Sequence, residues 1–408
     1  MRGVLTVSQI ALALVLLTGA GLLMRSFSAL RALDPGFDPT ATLSFVVSTT
    51  GSAHAAPERR VALFDQVLER VRAMPGVASA SAINHLPLAG DMWGITYTVP
   101  GAGEARTDDP PGATYRVVQP GYFATMGIPL VRGRDVRDGD RIGGEEVVVV
   151  NEWMAGRYWP AQDPVGQRIE FSEPGAERRL ATVVGVVRNV VRSEWGAPPS
   201  AEVYRPFRQA RAYVESDGGH VASLTFVVRP SCAPDASACD PAALAAPIRA
   251  ALRELAPDAP VSDVQTIEQV VDAANARPRF NVVLLTLFAG VALALAAVGI
   301  YGVMSYMVSR RTHEIGLRMA LGARRGDVLR LVVGRGMTLS LVGTAVGVAG
   351  ALALSRFMAG MLFGVRPADL PTLAAMSALL GAVALVACLV PAWRAVAVSP
   401  MRALRASE

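Results

Sequence analysis

Residues 280–308 read FNVVLLTLFAGVALALAAVGIYGVMSYMV, a run of 29 residues without a charged side chain. A hydrocarbon core about 30 Å thick needs about 20 apolar helical residues to cross it. The run does not alternate between polar and apolar side chains, and in lipid only helices and closed barrels satisfy the backbone. The stretch therefore predicts a membrane-spanning helix.

Three further uncharged runs cover residues 4–24, 336–355 and 370–393, so the sequence predicts four spans. The first run is longer than the roughly 7–15 apolar residues of a signal peptide and lacks a small-x-small cleavage site at its end. This favours an uncleaved anchor over a cleaved signal peptide. Arg25 and Arg356 lie at span ends, where snorkelling to the interface is the ordinary explanation.

The arginines predict the orientation of the chain. Loop 309–335 carries seven arginines against two carboxylates, whereas residues 26–280 carry 25 arginines against 30 carboxylates. Short cytoplasmic loops are enriched in basic residues. We therefore expect both termini and loop 309–335 to be cytoplasmic, and residues 26–280 and the short loop 363–369 to face outward. The positive net charge of +5 thus reflects topology, and we expect no nucleic-acid partner.

The long outer segment predicts an α+β domain built from two strand–helix–strand units. The first has strands at 43–49 and 77–83 around a helix at 57–74. The second has strands at 222–228 and 261–264 around a helix at 241–255. Between them, residues 113–205 are β-rich, with buried strands at 146–150 and 181–187. We predict a split βαβ domain with a β-rich insertion, and a helix over 266–275 that leads into the second span.

No catalytic or metal constellation emerges from the sequence. His313 and Glu314 begin an H-E-x-x-H pattern, but Leu317 occupies the second histidine position. All 39 basic residues are arginine, so the lysine that a P-loop needs for its phosphates is absent from this sequence. The spans contain no Asp, Glu or His, which argues against ion transport through them. We expect neither enzymatic activity nor a cofactor in this chain.

Two pairs of residues leave alternatives open. Cys232 and Cys239 flank a loop outside the membrane, where a disulfide and two unpaired cysteines are equally good interpretations. Gly343 and Gly347 form a G-x-x-x-G pattern in the third span, which lets helices approach closely. That pattern is typical both of dimerisation and of packing within the four-helix set.

The segment RRTHEIGLRMALGARRGDVLR, residues 310–330, predicts a short amphipathic cytoplasmic helix. Thr312 can cap its N-terminus, Glu314 suits its first turn, and Gly322 is a natural C-terminal stop. Such a basic amphipathic segment rests on anionic lipid or docks on a cytoplasmic partner.

The stretch EIGLRMALGA (314–323), after a span that ends in GIYGVMSY (299–306), resembles the cytoplasmic coupling segment of the FtsX-like permeases. Residues 117–136, 147–169 and 182–190 resemble the MacB-like periplasmic core domain. Residues 18–26 (TGAGLLMRS) and 35–39 (PGFDP) resemble the duplicated permeases related to MacB. The resemblance covers nearly the whole chain.

This resemblance implies a permease subunit of a type VII ABC transporter in the bacterial inner membrane. Such a subunit works as a homodimer or with a second permease half. A separate ATPase subunit binds ATP and magnesium, and its motion passes to the periplasmic domain by mechanotransmission, for export of a cargo or with a periplasmic adaptor. The coupling role falls by resemblance on Glu314, Ile315, Gly316, Arg318, Ala320, Leu321, Gly322 and Ala323.

Other functions within the same family stay open. The chain is alternatively a signalling module that controls a periplasmic partner such as a cell-wall hydrolase, a lipoprotein extractor, or a scaffold without an ATPase. The sequence also leaves open whether it is a half-size permease or part of a duplicated one, because it holds one four-helix unit and begins close to its first span.

The predicted parts of the chain are 1–25 (cytoplasmic N-terminus and first span), 26–279 (periplasmic core domain) and 280–408 (permease domain). The last is divided into 280–308 (second span), 309–335 (coupling segment), 336–355 (third span), 356–369 (outer loop), 370–393 (fourth span) and 394–408 (cytoplasmic tail).

Overall fold

The computed structural model of the protein describes residues 2–90, 93–101, 112–172, 178–192, 197–210, 222–231, 240–311, 314, 325–357, 362–366 and 368–397. Two compact units divide the chain. The membrane unit comprises Met1–Leu33 and Ala276–Glu408, and the β-rich unit comprises Asp34–Asn275.

The helices of the described residues are α1 (Arg2–Arg31), α2 (Pro57–Arg72), α3 (Tyr122–Met126), α4 (Glu152–Tyr158), α5 (Ala245–Leu255), α6 (Ile267–Ala274), α7 (Ala276–Arg310), α8 (Arg325–Phe357) and α9 (Leu370–Ala397). The strands are β1 (Leu43–Ser48), β2 (Val77–Ile83), β3 (Gly94–Thr98), β4 (Gly112–Val118), β5 (Leu130–Gly133), β6 (Val147–Asn151), β7 (Arg168–Ser172), β8 (Arg179–Val187), β9 (Glu202–Pro206), β10 (Ser223–Pro230) and β11 (Val261–Thr266). Short 3₁₀ turns lie at Phe207–Gln209 and Pro241–Leu244.

The membrane unit contains four helices that are long and apolar enough to cross a bilayer: α1, α7, α8 and α9. In α1, 56% of the most hydrophobic window is buried inside the protein, against 17% to 28% in the other three helices. The first helix is therefore the one around which the others pack. It also continues well past the uncharged run, to Arg31, because a single charged side chain ends an apolar run without ending a helix. The helix stops only shortly before Pro35 and Gly36.

The two predicted strand–helix–strand units of the β-rich unit form one antiparallel sheet. Its strand order is β11-β1-β10-β2, so strands of the first unit alternate with strands of the second. Helix α2 buries Phe64 against this sheet, where its ring meets Phe226 edge-on at 6.1 Å, and Phe226 stacks on Phe45 at 5.2 Å. The sheet confirms the predicted α+β architecture with a split βαβ arrangement.

The β-rich insertion closes into a barrel of six strands. Neighbouring strands pair in the order β4-β3-β7-β8-β6-β9, and β9 pairs with β4 in parallel to complete the ring. Alternate side chains from these strands fill the interior, among them Tyr115, Val150, Phe171 and Val183, all at most 1% exposed. Closure leaves no free strand edge within the ring, and β5 pairs with β8 outside it.

Among the described residues, strands of the barrel pair with strands of the four-stranded sheet at one place. Strands β2 and β4 pair through Ile83 and Val118 alone. Just beyond this pair, Asn84 is 5% exposed, and its side-chain oxygen accepts from the backbone N–H of Val117 at 3.0 Å. The backbone N–H of Asn84 in turn donates to the Val117 carbonyl at 3.0 Å. Asn84 thus extends the short pairing of β2 with β4 by one backbone bond and one side-chain bond.

A buried ion pair lies on the outside of the barrel wall, where β4 and β9 run side by side. Arg116 and Glu202 are each 1% exposed or less and approach to 3.3 Å. Arg116 also donates to the carbonyl of His85 at 2.6 Å, and Glu202 accepts from the hydroxyl of Tyr204 at 3.0 Å. Burial raises the pKa of Glu202, while Arg116 and the tyrosine hydroxyl act to lower it. Through the bond of Arg116 to the His85 carbonyl, the pair therefore holds the loop at His85 against the barrel.

We predict that Glu202→Gln destabilises the protein by about 3–5 kcal/mol, because it leaves the Arg116 charge buried without a counter-charge. The thermal unfolding of the full-length protein in detergent measures this. The control is Glu254→Gln, which removes one partner of an exposed pair with Arg70 and costs under about 1 kcal/mol. Equal melting temperatures for the two variants would contradict the assignment.

Candidate coupling site

The predicted coupling segment, 309–335, begins in the last turn of α7, and its final residues, 325–335, form the start of α8. Of its eight predicted residues the structure describes Glu314, whereas Ile315, Gly316, Arg318, Ala320, Leu321, Gly322 and Ala323 lie outside the described residues. The Glu314 carboxylate lies 3.9 Å from the Arg311 guanidinium, and both side chains are about 40% exposed. This ion pair at spacing i,i+3 is of the kind that supports a helical turn. It lies at the junction between α7 and the predicted coupling segment.

Helix α7 carries the coupling segment at one end and adjoins the β-rich unit in sequence at the other. Its 35 residues give a length of about 52 Å at 1.5 Å per residue. Asn275 alone separates it from α6, whose N-terminus is fixed by a capping box between Thr266 and Gln269. In the last turn of α7, the Arg310 guanidinium lies 5.4 Å from the centre of the Tyr306 ring. One unbroken helix thus connects the end of the β-rich unit in sequence with the start of the coupling segment.

Helices α7 and α1 are in close contact at a glycine. A Cβ atom at Gly299 would overlap the side-chain oxygen of Gln9. Apolar residues of α7 on either side, Ala296 and Ile300, are at most 2% exposed. The polar Gln9 side chain therefore lies directly against the backbone of α7 at Gly299.

Helix α8 contacts α1 through the two glycines of its G-x-x-x-G pattern. A Cβ atom at Gly343 would lie 2.7 Å from the Cβ of Ile10, and one at Gly347 would lie 2.9 Å from the Cβ of Leu14. Carbonyl oxygens of α1 lie within 3.2 Å of both positions. The structure thus places the glycine pair against the first helix of the same chain, which is one of the two alternatives that the sequence leaves open.

Helices α7, α8 and α9 meet near the end of the bundle where the coupling segment begins. A Cβ atom at Gly336 of α8 would overlap the sulfur of Cys388 in α9 and lie 3.1 Å from the sulfur of Met304 in α7. The Arg394 guanidinium of α9 also donates to the hydroxyl of Tyr301 in α7 at 2.9 Å. These contacts bring all three helices together about two to three helical turns from the ends of α7 and α8 that flank the coupling segment.

At the other end of the bundle, α1 is tied to the loop before α9. Arg25 pairs with Asp369, whose carboxylate also accepts from the backbone N–H of Thr372 at 3.1 Å and from its hydroxyl. The hydroxyl of Ser26 accepts from the backbone N–H of Phe363 at 2.8 Å. The hydroxyl of Thr372 and then Arg25 hold the pKa of Asp369 below its usual value. The structure adds to the prediction for Arg25 that its charge has a carboxylate partner and that the helix continues beyond it to Arg31.

The β-rich unit holds a cleft of about 550 Å³ on the face of its four-stranded sheet opposite α2. Hydroxyls of Ser44 and Thr225 lie on its floor, Leu86 and Leu88 form one wall, and Val270 of α6 forms another. Among the described residues, no group of three or more His, Cys, Asp or Glu side chains could hold a metal ion. Cys232 and Cys239 lie outside the described residues, so a disulfide and two unpaired cysteines both stay open.

Comparisons with known proteins agree with both parts of the chain. The family model described as the MacB-like periplasmic core domain matches residues 4–243, and that described as the FtsX-like permease C-terminal region matches residues 286–400. Named relatives are the macrolide export ATP-binding/permease proteins MacB. The protein from Neisseria gonorrhoeae is 25% identical over 64% of this chain and 38% of its own length. That from Bordetella avium is 28% identical over 54% of this chain and 32% of its own length. The chain thus spans well under half of these relatives.

Two solved structures resemble the chain. The periplasmic region of MacB from Actinobacillus actinomycetemcomitans has a TM-score of 0.37 and 15% identity, and the match covers 60% of this chain and 98% of that one. The extracellular domain of the ABC-type transporter YknZ from Gram-positive bacteria has a TM-score of 0.30 and 15% identity, over 47% of this chain and 84% of that one.

We predict that Gly343→Ala and Gly347→Ala each lower the melting temperature of the protein in detergent, because the added methyl group meets the backbone of α1. The matched control is Gly290→Ala in α7, where a Cβ atom meets nothing within 4 Å. That variant should be unchanged or stabilised by up to about 1 kcal/mol through helix propensity. A melting temperature that rises in all three variants would show that α1 and α8 do not pack at these glycines.

We predict a pH-dependent contribution from Asp369. Its folded-state pKa is depressed, so its stabilising effect is complete above the unfolded pKa of about 3.9 and is lost as the pH falls through the lower folded value. The melting temperature of the wild type should exceed that of Asp369→Asn by a constant amount between about pH 7 and 5, and the difference should shrink below about pH 4. Equal melting temperatures at pH 7 would refute the role of the carboxylate.

Proposed function

This chain belongs to the family of permeases with a MacB-like periplasmic core domain and an FtsX-like C-terminal region, and from that premise we propose that it transmits ATPase motion across the membrane. In this proposal it is the transmembrane subunit of an ABC-type exporter. ATP binding and hydrolysis take place on a separate polypeptide, and the β-rich unit acts on cargo outside the membrane.

The observation that carries this proposal is the position of the coupling segment at the end of α7. Glu314 follows that helix directly, within the region matched by the FtsX-like model. A force applied to the segment acts on the end of one 35-residue helix, which connects in sequence to the β-rich unit through a single residue. Mechanical transmission needs such an unbroken element.

The contacts of α1 support a motion that several helices share. Because Gly299 of α7 and Gly343 and Gly347 of α8 all fit closely against α1, α7 cannot slide far without displacing its neighbours. The described spans hold no Asp, Glu or His, and relays for ions and protons normally contain such groups. A mechanism in which cargo is moved outside the bilayer agrees with both features.

The partners follow from the same proposal. The ATPase docks on the segment that begins at Glu314, at the end of the membrane unit where Arg310 and Arg394 lie. That end is cytoplasmic by the positive-inside rule, and the β-rich unit is then periplasmic in the inner membrane. A second four-helix unit, from another copy or another permease, completes the docking surface for two ATPase subunits. ATP and magnesium bind in those subunits.

We predict that Glu314→Arg and Gly322→Leu uncouple the ATPase from the permease. The experiment is affinity purification of the native complex in mild detergent, with mass spectrometry of the partners and an ATPase assay. Coupling free energies between sites are about 1–3 kcal/mol, so permease-dependent ATPase activity should fall by a factor of about 5 or more. Melting temperatures close to that of the wild type would show that both variants fold.

Glu254→Arg provides the control, since it reverses the charge of an exposed carboxylate in the β-rich unit and should leave the activity unchanged. Normal ATPase stimulation by both coupling variants would refute the assigned site. Purification with a periplasmic hydrolase and without any ATPase would instead support the signalling function.

A further inference from the structure

The membrane unit has an apolar groove between α7 and α9. Its volume is about 450 Å³, and its lining residues are Ala297, Val298 and Tyr301 of α7 and Ala382, Val383, Val386, Ala387 and Val390 of α9. Small side chains on both helices, such as Ala297 and Ala382, leave the space between the two helices open. The nine residues of α9 along the groove extend for about 12 Å.

The exposed apolar walls of the groove require an apolar group to cover them in the membrane. Val298 and Val386 on its walls are 67% and 60% exposed. Both belong to uncharged spans, so this surface lies at the depth of the hydrocarbon core, where water does not fill a groove of this kind. An acyl chain of the surrounding bilayer has the chemistry and the shape for this position.

A cation lies at one end of the groove. Arg394 follows Val390 by one helical turn on the same face of α9, and it is the first charged residue after the uncharged run. Its guanidinium donates to the hydroxyl of Tyr301, which itself lines the groove. No carboxylate among the described residues forms an ion pair with Arg394. The tyrosine thus fixes the direction of an exposed positive charge at the depth where lipid headgroups begin.

We propose that this groove binds one acyl chain of an anionic phospholipid, with the lipid phosphate on Arg394. A guanidinium held on one side by a hydroxyl keeps further N–H groups for phosphate oxygens. A second copy of the chain is a poorer occupant. In a two-fold arrangement about this groove it would bring its own Arg394 to the same interface, and no acid of the described residues pairs with either arginine.

The test uses the full-length protein, exchanged into mixed micelles with equal amounts of phosphatidylglycerol and phosphatidylcholine of the same chain length. Native mass spectrometry then counts the lipids that remain bound. We expect one phosphatidylglycerol to be retained in preference. An arginine near anionic lipid contributes about 1 kcal/mol, so Arg394→Gln should lower this preference about fivefold. Tyr301→Phe removes only the hydroxyl and should also lower the preference for phosphatidylglycerol. This second variant tests the proposal if Arg394→Gln folds poorly.

Filling the groove with Ala387→Phe should reduce retention of both lipids. The matched controls are Arg356→Gln, which removes an exposed arginine at the end of α8, and Val346→Phe, which adds bulk to an exposed site on α8. Both should retain lipid like the wild type. Equal retention of the two lipids by the wild type, or a preference that survives Arg394→Gln and Tyr301→Phe, would overturn the proposal. So would a dimer that Ala387→Phe dissociates, because a second copy would then fill the groove.

Discussion

The contact between α1 and the glycines of α7 and α8 is the constraint on which the membrane unit depends. In lipid the hydrophobic effect does not drive helices together, so association relies on close backbone approach and on van der Waals contact. Gly299, Gly343 and Gly347 supply that approach on two different helices, and all three face α1. This explains why α1 is the most enclosed of the four spans although its sequence is less apolar than those of α7 and α9.

The same contact shapes how force can pass through the unit. Helix α7 is long and continuous, but only a small part of it is buried within the bundle, and that part lies against α1. The two ends of the bundle are secured by different means. One end uses the ion pair of Arg25 with Asp369, and the other uses the hydrogen bond of Arg394 with Tyr301. In the proposed function, a displacement at the coupling segment is therefore applied to a bundle whose helices are linked at both ends and in the middle.

The architecture was predictable wherever a local pattern determines it. The spans follow from uncharged length, and the strand at 77–83 and the helix capped by Thr266 follow from periodicity and turn residues. The closure of the barrel was not predictable, because the parallel pairing of β4 with β9 joins strands that are more than 80 residues apart. For the same reason, no sequence pattern pointed to the pair of Arg116 with Glu202 or of Arg25 with Asp369. Arg25 looked like an ordinary interfacial arginine because its partner lies 344 residues away.

The sequence signal for the coupling segment is of a different kind, since it rests on resemblance rather than on periodicity. A short basic segment between two spans has few intrinsic features, and its role depends on what docks there. The described geometry does constrain that role through the neighbours of the segment. Glu314 lies just beyond the end of α7, a helix that packs against α1, and the described spans hold no Asp, Glu or His side chain. In the proposed function the protein acts by moving its own helices, and a force applied to the segment at Glu314 reaches α7 first.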